Sequence, residues 1–232
     1  MTSASSGRAP AVLFDIDGTL VDSNYLHVHA WQRAFHDVGA GVDAWRIHRC
    51  IGMDGSALIT TLGGDQLDDT TSAELKKRHS DYYARTAALL RLLPGARALL
   101  HHVGQMGLQV VLATSAPQDE LALLRTVLDS DDIVSAFTSS EDVATAKPEP
   151  DLVEVALQRA GVSAAHAVFV GDSIWDAQAA TRAGVTCIGL LCGGIFRHEL
   201  EQAGAERVYT DADDLCHNLS CSPIGELTWT TP

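Results

Sequence analysis

Short apolar runs recur along the chain, each closing on polar residues, with helical periodicities filling the intervals. Residues 11–15, 108–113, 136–139, 167–170 and 186–190 read as strands, with a weaker run at 207–209. Between them lie amphipathic stretches. Residues 119–128 repeat Leu121, Leu124 and Leu128, while 151–160 follow Pro150 and stop at Gly161, the proline-first, glycine-last order of a helix. Strands alternating with helices predict a parallel, doubly wound α/β sheet with right-handed crossovers. Ligands of such sheets bind at the carboxyl ends of the strands, which is where Asp15 and Asp17 fall.

One connection breaks the rhythm. Residues 22–92 contain no convincing strand, only helical patterns around 25–38, 54–62 and 72–90. An ordinary crossover needs one helix, so the excess predicts a helical cap inserted after the first strand. The expected division is a core of residues 1–21 and 93–232 and a cap of residues 22–92.

Composition narrows the class. A hydrophobic content of 46% with 6% aromatics suits an α/β protein with an ample core. The 30 acidic against 16 basic residues, net charge −14, leave no basic footprint for nucleic acid or an anionic membrane. No stretch approaches the ~18 apolar residues of a membrane span, and the Ser/Ala-rich opening of residues 1–10 makes a poor signal peptide. Five cysteines, odd in number and without a C-x-x-C pair, suit thiols in a reducing cytoplasm.

Four strand ends carry polar residues that a core does not require. They are Asp15, Asp17 and Thr19; Thr114 and Ser115 ending "VVLATS"; Lys147 in "ATAKPEPD"; and Asp172 and Asp176 in "VFVGDSIWD". In a parallel sheet these ends converge. Carboxylates crowded together repel one another, and a divalent cation removes the conflict. Few, hard oxygen donors describe Mg²⁺ better than a calcium cage or a zinc site. One carboxylate can then attack phosphorus and a second can move the proton, while a lysine and a hydroxyl hold the phosphoryl oxygens. Ser173 is placed to cap the helix that Gly184 closes, fixing Asp172 and Asp176 at its first turn.

"DIDGT", the hydroxyl ending "VVLAT", "AKP" and "GDSIWD", in this order, resemble the four motifs of the haloacid dehalogenase superfamily. The helical insertion resembles the branch containing phosphoglycolate phosphatase and β-phosphoglucomutase relatives. The resemblance implies a mostly parallel Rossmann-like sheet, with Asp15 as nucleophile and Asp17 as general acid/base. It implies phosphoryl contacts from Thr114, Lys147 and Gly18, and Mg²⁺ ligands from Asp15, the Asp17 backbone carbonyl, Asp172 and Asp176. The expected activity is hydrolysis of a small phosphomonoester, phosphoglycolate- or sugar-phosphate-like, through an aspartyl phosphate, by a monomer or weak homodimer. A mutase of the β-phosphoglucomutase type is the alternative, and a non-enzymatic interaction domain on the same scaffold the more distant one. Against the mutase, Gly55 stands where those relatives carry a cap arginine, and Gly171 where they carry glutamate.

The remaining candidates are less specific. Ser115 either caps the next helix or contacts phosphate. His27 matches a hinge histidine of the mutase relatives, and Arg49 is placed to reach the pocket beside the cap loop "HRCIGMDGS". That loop, with the residues around Asn24 and His27, is expected to set selectivity. Trp31 and Trp45 read as cap core, Gly63-Gly64 and Gly193-Gly194 as turns, and Lys76-Lys77-Arg78 as a solvated helix face.

Overall fold

A computed structural model describes residues 8–64, 67–143 and 145–227. Most of the Ser/Ala-rich opening, residues 1–7, lies outside them. Six strands, β1 (Ala11–Phe14), β2 (Gln109–Ala113), β3 (Val134–Thr138), β4 (Ala167–Gly171), β5 (Thr186–Leu190) and β6 (Ala205–Tyr209), pair in parallel in the order β3-β2-β1-β4-β5-β6. The two edge strands start earlier than hydrophobicity predicts. Val134 pairs with Val110 and Ala205 with Cys187, and each ladder then shifts register, so backbone pairing carries these strands past their apolar runs.

Between β1 and the rest of the sheet lie the cap helices α1 (Asn24–Asp37), α2 (Ala44–His48), α3 (Gly55–Gly63) and α4 (Asp69–Ala84). They close their own apolar cluster from Val28, Trp31, Phe35, Ile47, Leu58, Ile59 and Leu75. The short α2 has no sequence signal and buries Ile47 alone. Trp45, expected in the cap core, therefore stands 68% exposed. The helix expected to run to residue 90 ends at Ala84, where the Thr86 hydroxyl and amide both donate to the Tyr83 carbonyl.

The chain leaves and re-enters the core side by side. The Asp22 amide donates to the Arg91 carbonyl at 2.9 Å and the Leu93 amide to the Leu20 carbonyl at 2.9 Å. We propose that the cap hinges on this crossing.

Alternate strand positions face opposite layers. Val12, Phe14, Val110, Leu112 and Val170 pack against α5 (Ala96–Gln105) and α6 (Gln118–Leu128), whereas Leu13, Val111 and Phe169 pack against α7 (Asp151–Ala160) and α8 (Ile174–Arg182). Beyond β5 the chain forms α9 (Arg197–Ala203) and α10 (Ala212–His217). Among the described residues no helix is long and apolar enough to cross a membrane. Strands buried on both faces hold their carboxyl ends in register, and those ends carry the polar residues.

Candidate active site

Asp15 follows β1 directly, its amide donating to the Val170 carbonyl at 2.9 Å. Lys147, 1% exposed, places Nζ 2.6 Å from Asp15 Oδ1 and 2.7 Å from Asp176 Oδ1. A buried ammonium is tolerable only when paired in this way. Asp176 is fixed by its helix. Ser173, the residue before α8, donates its hydroxyl to Asp176 Oδ2 at 2.6 Å and accepts the Asp176 amide, closing a capping box. Asp172 accepts from Thr19 Oγ1 and from Asn24 Nδ2, each at 2.8 Å. Gly18, at φ +77°, lies in the left-handed region, and a Cβ there would stand 2.5 Å from Asp172 Oδ2.

Asp15, Asp172 and Asp176 each bring a carboxylate oxygen within 4.8 Å of the others, all three buried. Burial pushes the Asp15 carboxyl well above the usual range; Lys147 opposes this, and Asp176 and Asp172 reinforce it. Asp172 rises to about 7 through burial and the Asp176 charge, against the Thr19 and Asn24 hydrogen bonds. Three carboxylates against one lysine leave two negative charges unmatched. A divalent cation supplies that charge, and an all-oxygen donor set fits Mg²⁺. Asp17 stands apart from this group. Its Oδ1 accepts from Ser23 Oγ at 2.6 Å and meets His27 Nε2 at 3.3 Å.

The Asp17 contact opens a buried chain with no sequence signal. His27 Nδ1 lies 3.0 Å from His79 Nε2, and His79 Nδ1 lies 3.7 Å from Glu120 Oε1. The chain thus crosses from β1 through α1 and α4 to α6. Trp31 stacks on His79 and Tyr83 on His27, with ring centroids 4.1 and 3.9 Å apart. Burial works against charge on both Asp17 and His27, yet their mutual hydrogen bond outweighs it, lowering the Asp17 pKa and raising that of His27. His79 is driven well below its ordinary value by burial and then by the His27 charge.

The family model for haloacid dehalogenase-like hydrolases matches residues 12–190. The chain belongs to this family. It is 31% identical over 198 residues to a phosphoglycolate phosphatase of Yersinia pestis, covering 78% of this chain and 81% of that one. A phosphoglycolate phosphatase of Shigella boydii is 30% identical over 227 residues, covering 88% of this chain and 90% of that one. The crystal structure of a hydrolase from Pseudomonas syringae superposes with a TM-score of 0.87 at 36% identity, over 91% of this chain and 98% of that one.

In this haloacid dehalogenase-like hydrolase, Asp15, Asp17, His27, Thr114, Ser115 and Lys147 share a cavity of about 620 Å³ between core and cap. Helix α6 starts after Pro117 without a side-chain cap, so Ser115 does not cap it. The Thr114 hydroxyl accepts the Ala116 amide at 3.0 Å, which fixes its rotamer while leaving its proton available to donate. Of the cap loop "HRCIGMDGS", Ile51 to Ser56 line the cavity.

Three expectations shift. Arg49 is absent from the cavity lining and instead grips Glu199 of α9 through two hydrogen bonds of 2.7 and 3.1 Å. Asn24 serves Asp172 and is likewise absent from the lining. The Lys76-Lys77 pair is exposed yet lines the cavity, because α4 lies along its mouth.

Proposed function

We propose that this hydrolase is a Mg²⁺-dependent phosphatase of small phosphomonoesters that works through an aspartyl phosphate on Asp15. The observation that carries the reading is the buried arrangement of Asp15 and Asp176 on Lys147, with Asp17 turned away toward His27. Lys147 orients one Asp15 oxygen and opposes the upward push of burial on the carboxyl, leaving the other oxygen to attack phosphorus. As that bond forms, the bond from phosphorus to the ester oxygen breaks, and the leaving oxygen takes a proton from Asp17. The Asp17 and His27 pair holds this proton between them. Water then attacks the aspartyl phosphate and returns a proton to Asp17, and release of phosphate restores the Asp15 carboxylate.

Thr114 and Lys147 neutralise the phosphoryl oxygens in both steps. Asp15, Asp172 and the Asp17 carbonyl would hold Mg²⁺, whose bound charge offsets that developing on the phosphoryl group. Asp176 acts through Lys147. The five cysteines are unpaired, which supports a cytoplasmic site of action.

The test is release of inorganic phosphate from a panel of small phosphate esters, with and without Mg²⁺. Activity on several esters that vanishes with chelator is expected; Mg²⁺-independent release would overturn the reading. Incubation with β-glucose 1-phosphate and a trace of glucose 1,6-bisphosphate should yield free phosphate faster than glucose 6-phosphate.

A further inference from the structure

The first residue of the cap is tied to a carboxylate of the metal site. Asn24 opens α1 and is 5% exposed. Its Nδ2 donates to Asp172 Oδ2 at 2.8 Å and reaches the Gly193 carbonyl at 3.5 Å. Two glycines from separate loops clear the space for this pair. A Cβ on Gly18 would stand 2.6 Å from Asn24 Cγ, and one on Gly193 would stand 2.6 Å from Asp172 Cβ. The contact is therefore built into the backbone of both loops. It also lies apart from the substrate cavity, whose lining includes Asp15 and Asp17 but neither Asn24 nor Asp172.

The other end of the amide is unused. Asn24 Oδ1 is buried with no hydrogen-bond partner among the described residues, which costs stability unless a donor is supplied. Turning the amide over would not help, since it would set an oxygen against the two acceptors, Asp172 Oδ2 and the Gly193 carbonyl. The side-chain donors around it are committed: Thr19 Oγ1 to Asp172 Oδ1 at 2.8 Å, Ser23 Oγ to Asp17 at 2.6 Å and Cys192 Sγ to the Gly18 carbonyl at 3.0 Å. What this amide does touch is the metal site, since Asp172 is one of the three carboxylates gathered within 4.8 Å. Mg²⁺ dehydrates reluctantly and keeps several waters, each of them a donor. The Gly193 carbonyl also meets His48 Nε2 at 2.9 Å, and His48 stacks on Tyr25 with ring centroids 5.1 Å apart. The start of α1 and the end of α2 thus share one seat on the core, packed against Asp172.

We propose that Asn24 is a positioning residue of the Mg²⁺ site, aiming Asp172 through Nδ2 and accepting through Oδ1 from the ion's hydration shell, so that ion binding and the seating of the cap are coupled. This rests on the Mg²⁺ dependence of the phosphatase reading. Groups that hydrogen-bond a metal ligand orient it and tune its basicity, and removing one typically weakens metal binding 10- to 100-fold. The coupling is reciprocal: an ion held more tightly through Asn24 holds the start of α1 more tightly in return. Because Asn24 lies outside the cavity, its effect falls on the ion and the cap and not on recognition of the ester.

The experiment measures Mg²⁺ affinity by calorimetry, and melting temperature with and without Mg²⁺, for the wild type, Asn24→Ala and Asn24→Asp. Alanine removes both ends of the amide, whereas aspartate keeps the acceptor and sets a carboxylate in place of the donor. Asn24→Ala should weaken Mg²⁺ binding about 10- to 100-fold and shrink the rise in melting temperature that Mg²⁺ gives. Asn24→Asp should melt below the wild type without Mg²⁺, because it turns a second carboxylate on Asp172, and should gain more from Mg²⁺ than the wild type does. The two variants move the Mg²⁺ response in opposite directions, so either carries the test if the other fails to fold. The seating of the cap is read from hydrogen exchange of the Leu26 and His27 amides, which donate to the Ser23 carbonyl at the start of α1. Mg²⁺ should slow their exchange in the wild type and not in Asn24→Ala. Wild-type Mg²⁺ affinity in Asn24→Ala, a Mg²⁺ response in Asn24→Asp no larger than the wild type's, or exchange indifferent to Mg²⁺ in the wild type overturns this inference and leaves the phosphatase reading standing. A wild type that binds no Mg²⁺ overturns both.

Discussion

A Cβ on Gly171 would stand 2.6 Å from the Cβ and Cγ of Asp176. The last residue of β4 is thus glycine because the first turn of α8 folds a carboxylate onto it, and that carboxylate orients Lys147. Gly171→Ala should push Asp176 aside, costing about 1–3 kcal/mol in stability through overpacking. Displacing Lys147 should lower turnover about 100-fold. Adding Asp176→Ala should recover the melting temperature and not the rate. Wild-type turnover in Gly171→Ala would remove Asp176 from any positioning role.

The carboxylate group sets stability and activity against each other. Asp15→Asn should fold normally and lose turnover by several orders of magnitude, since no other group can form the covalent intermediate. Without Mg²⁺ it should melt no lower than the wild type, because one of three crowded buried carboxylates is gone. Mg²⁺ should raise the wild-type melting temperature as it is titrated, and Asp172→Ala should abolish that rise. A Mg²⁺ response in Asp172→Ala equal to the wild type would mean that the ion binds elsewhere.

What the sequence made legible follows from where chemistry is bound to local pattern. Asp15, Thr114 and Asp172 each stand immediately after a run of buried residues, and Asp176 sits three residues past its capping serine. Strand ends and helix starts are local signals, so parallel topology alone brings these residues together. His79 and Glu120 lie inside helices at ordinary periodic positions, and nothing local distinguishes a histidine facing His27 from one facing solvent. Arg49 misleads for the same reason in reverse. It flanks a cavity loop in sequence, yet the short α2 turns it toward Glu199. Lys76 looks solvated because it is, and only the fold sets α4 along the cavity mouth.

The Arg49 and Glu199 contact joins cap to core across a partly exposed surface. Exposed pairs contribute little, so a double-mutant cycle with Arg49→Gln and Glu199→Gln should return a coupling of about 0.5–1 kcal/mol. The two single variants should change KM by the same small factor on every ester, as a contact favouring cap closure would. A loss confined to Arg49→Gln, and to doubly anionic esters, would place the guanidinium at the substrate.

Glu120 supplies the pH dependence. It is buried under the cap with Oε1 3.7 Å from His79 Nδ1, and burial pushes its carboxyl up to about 7, opposed by the His27 charge and reinforced by Asp17 and Asp119. The folded state therefore holds a proton that the unfolded chain releases near 4.5. Stability from that protonated carboxyl is complete below about pH 4.5 and is lost as pH rises through about 7. Glu120→Gln keeps a neutral side chain of the same shape at every pH. The wild type should lose stability relative to Glu120→Gln across this window, with a slope approaching ~1.4 kcal/mol per pH unit, and the difference should level off above pH 8. Urea unfolding of the two proteins at pH 5, 6, 7 and 8, at one Mg²⁺ concentration, gives the comparison. A flat difference, or one that moved in favour of the wild type, would show that Glu120 does not hold a proton in the folded state.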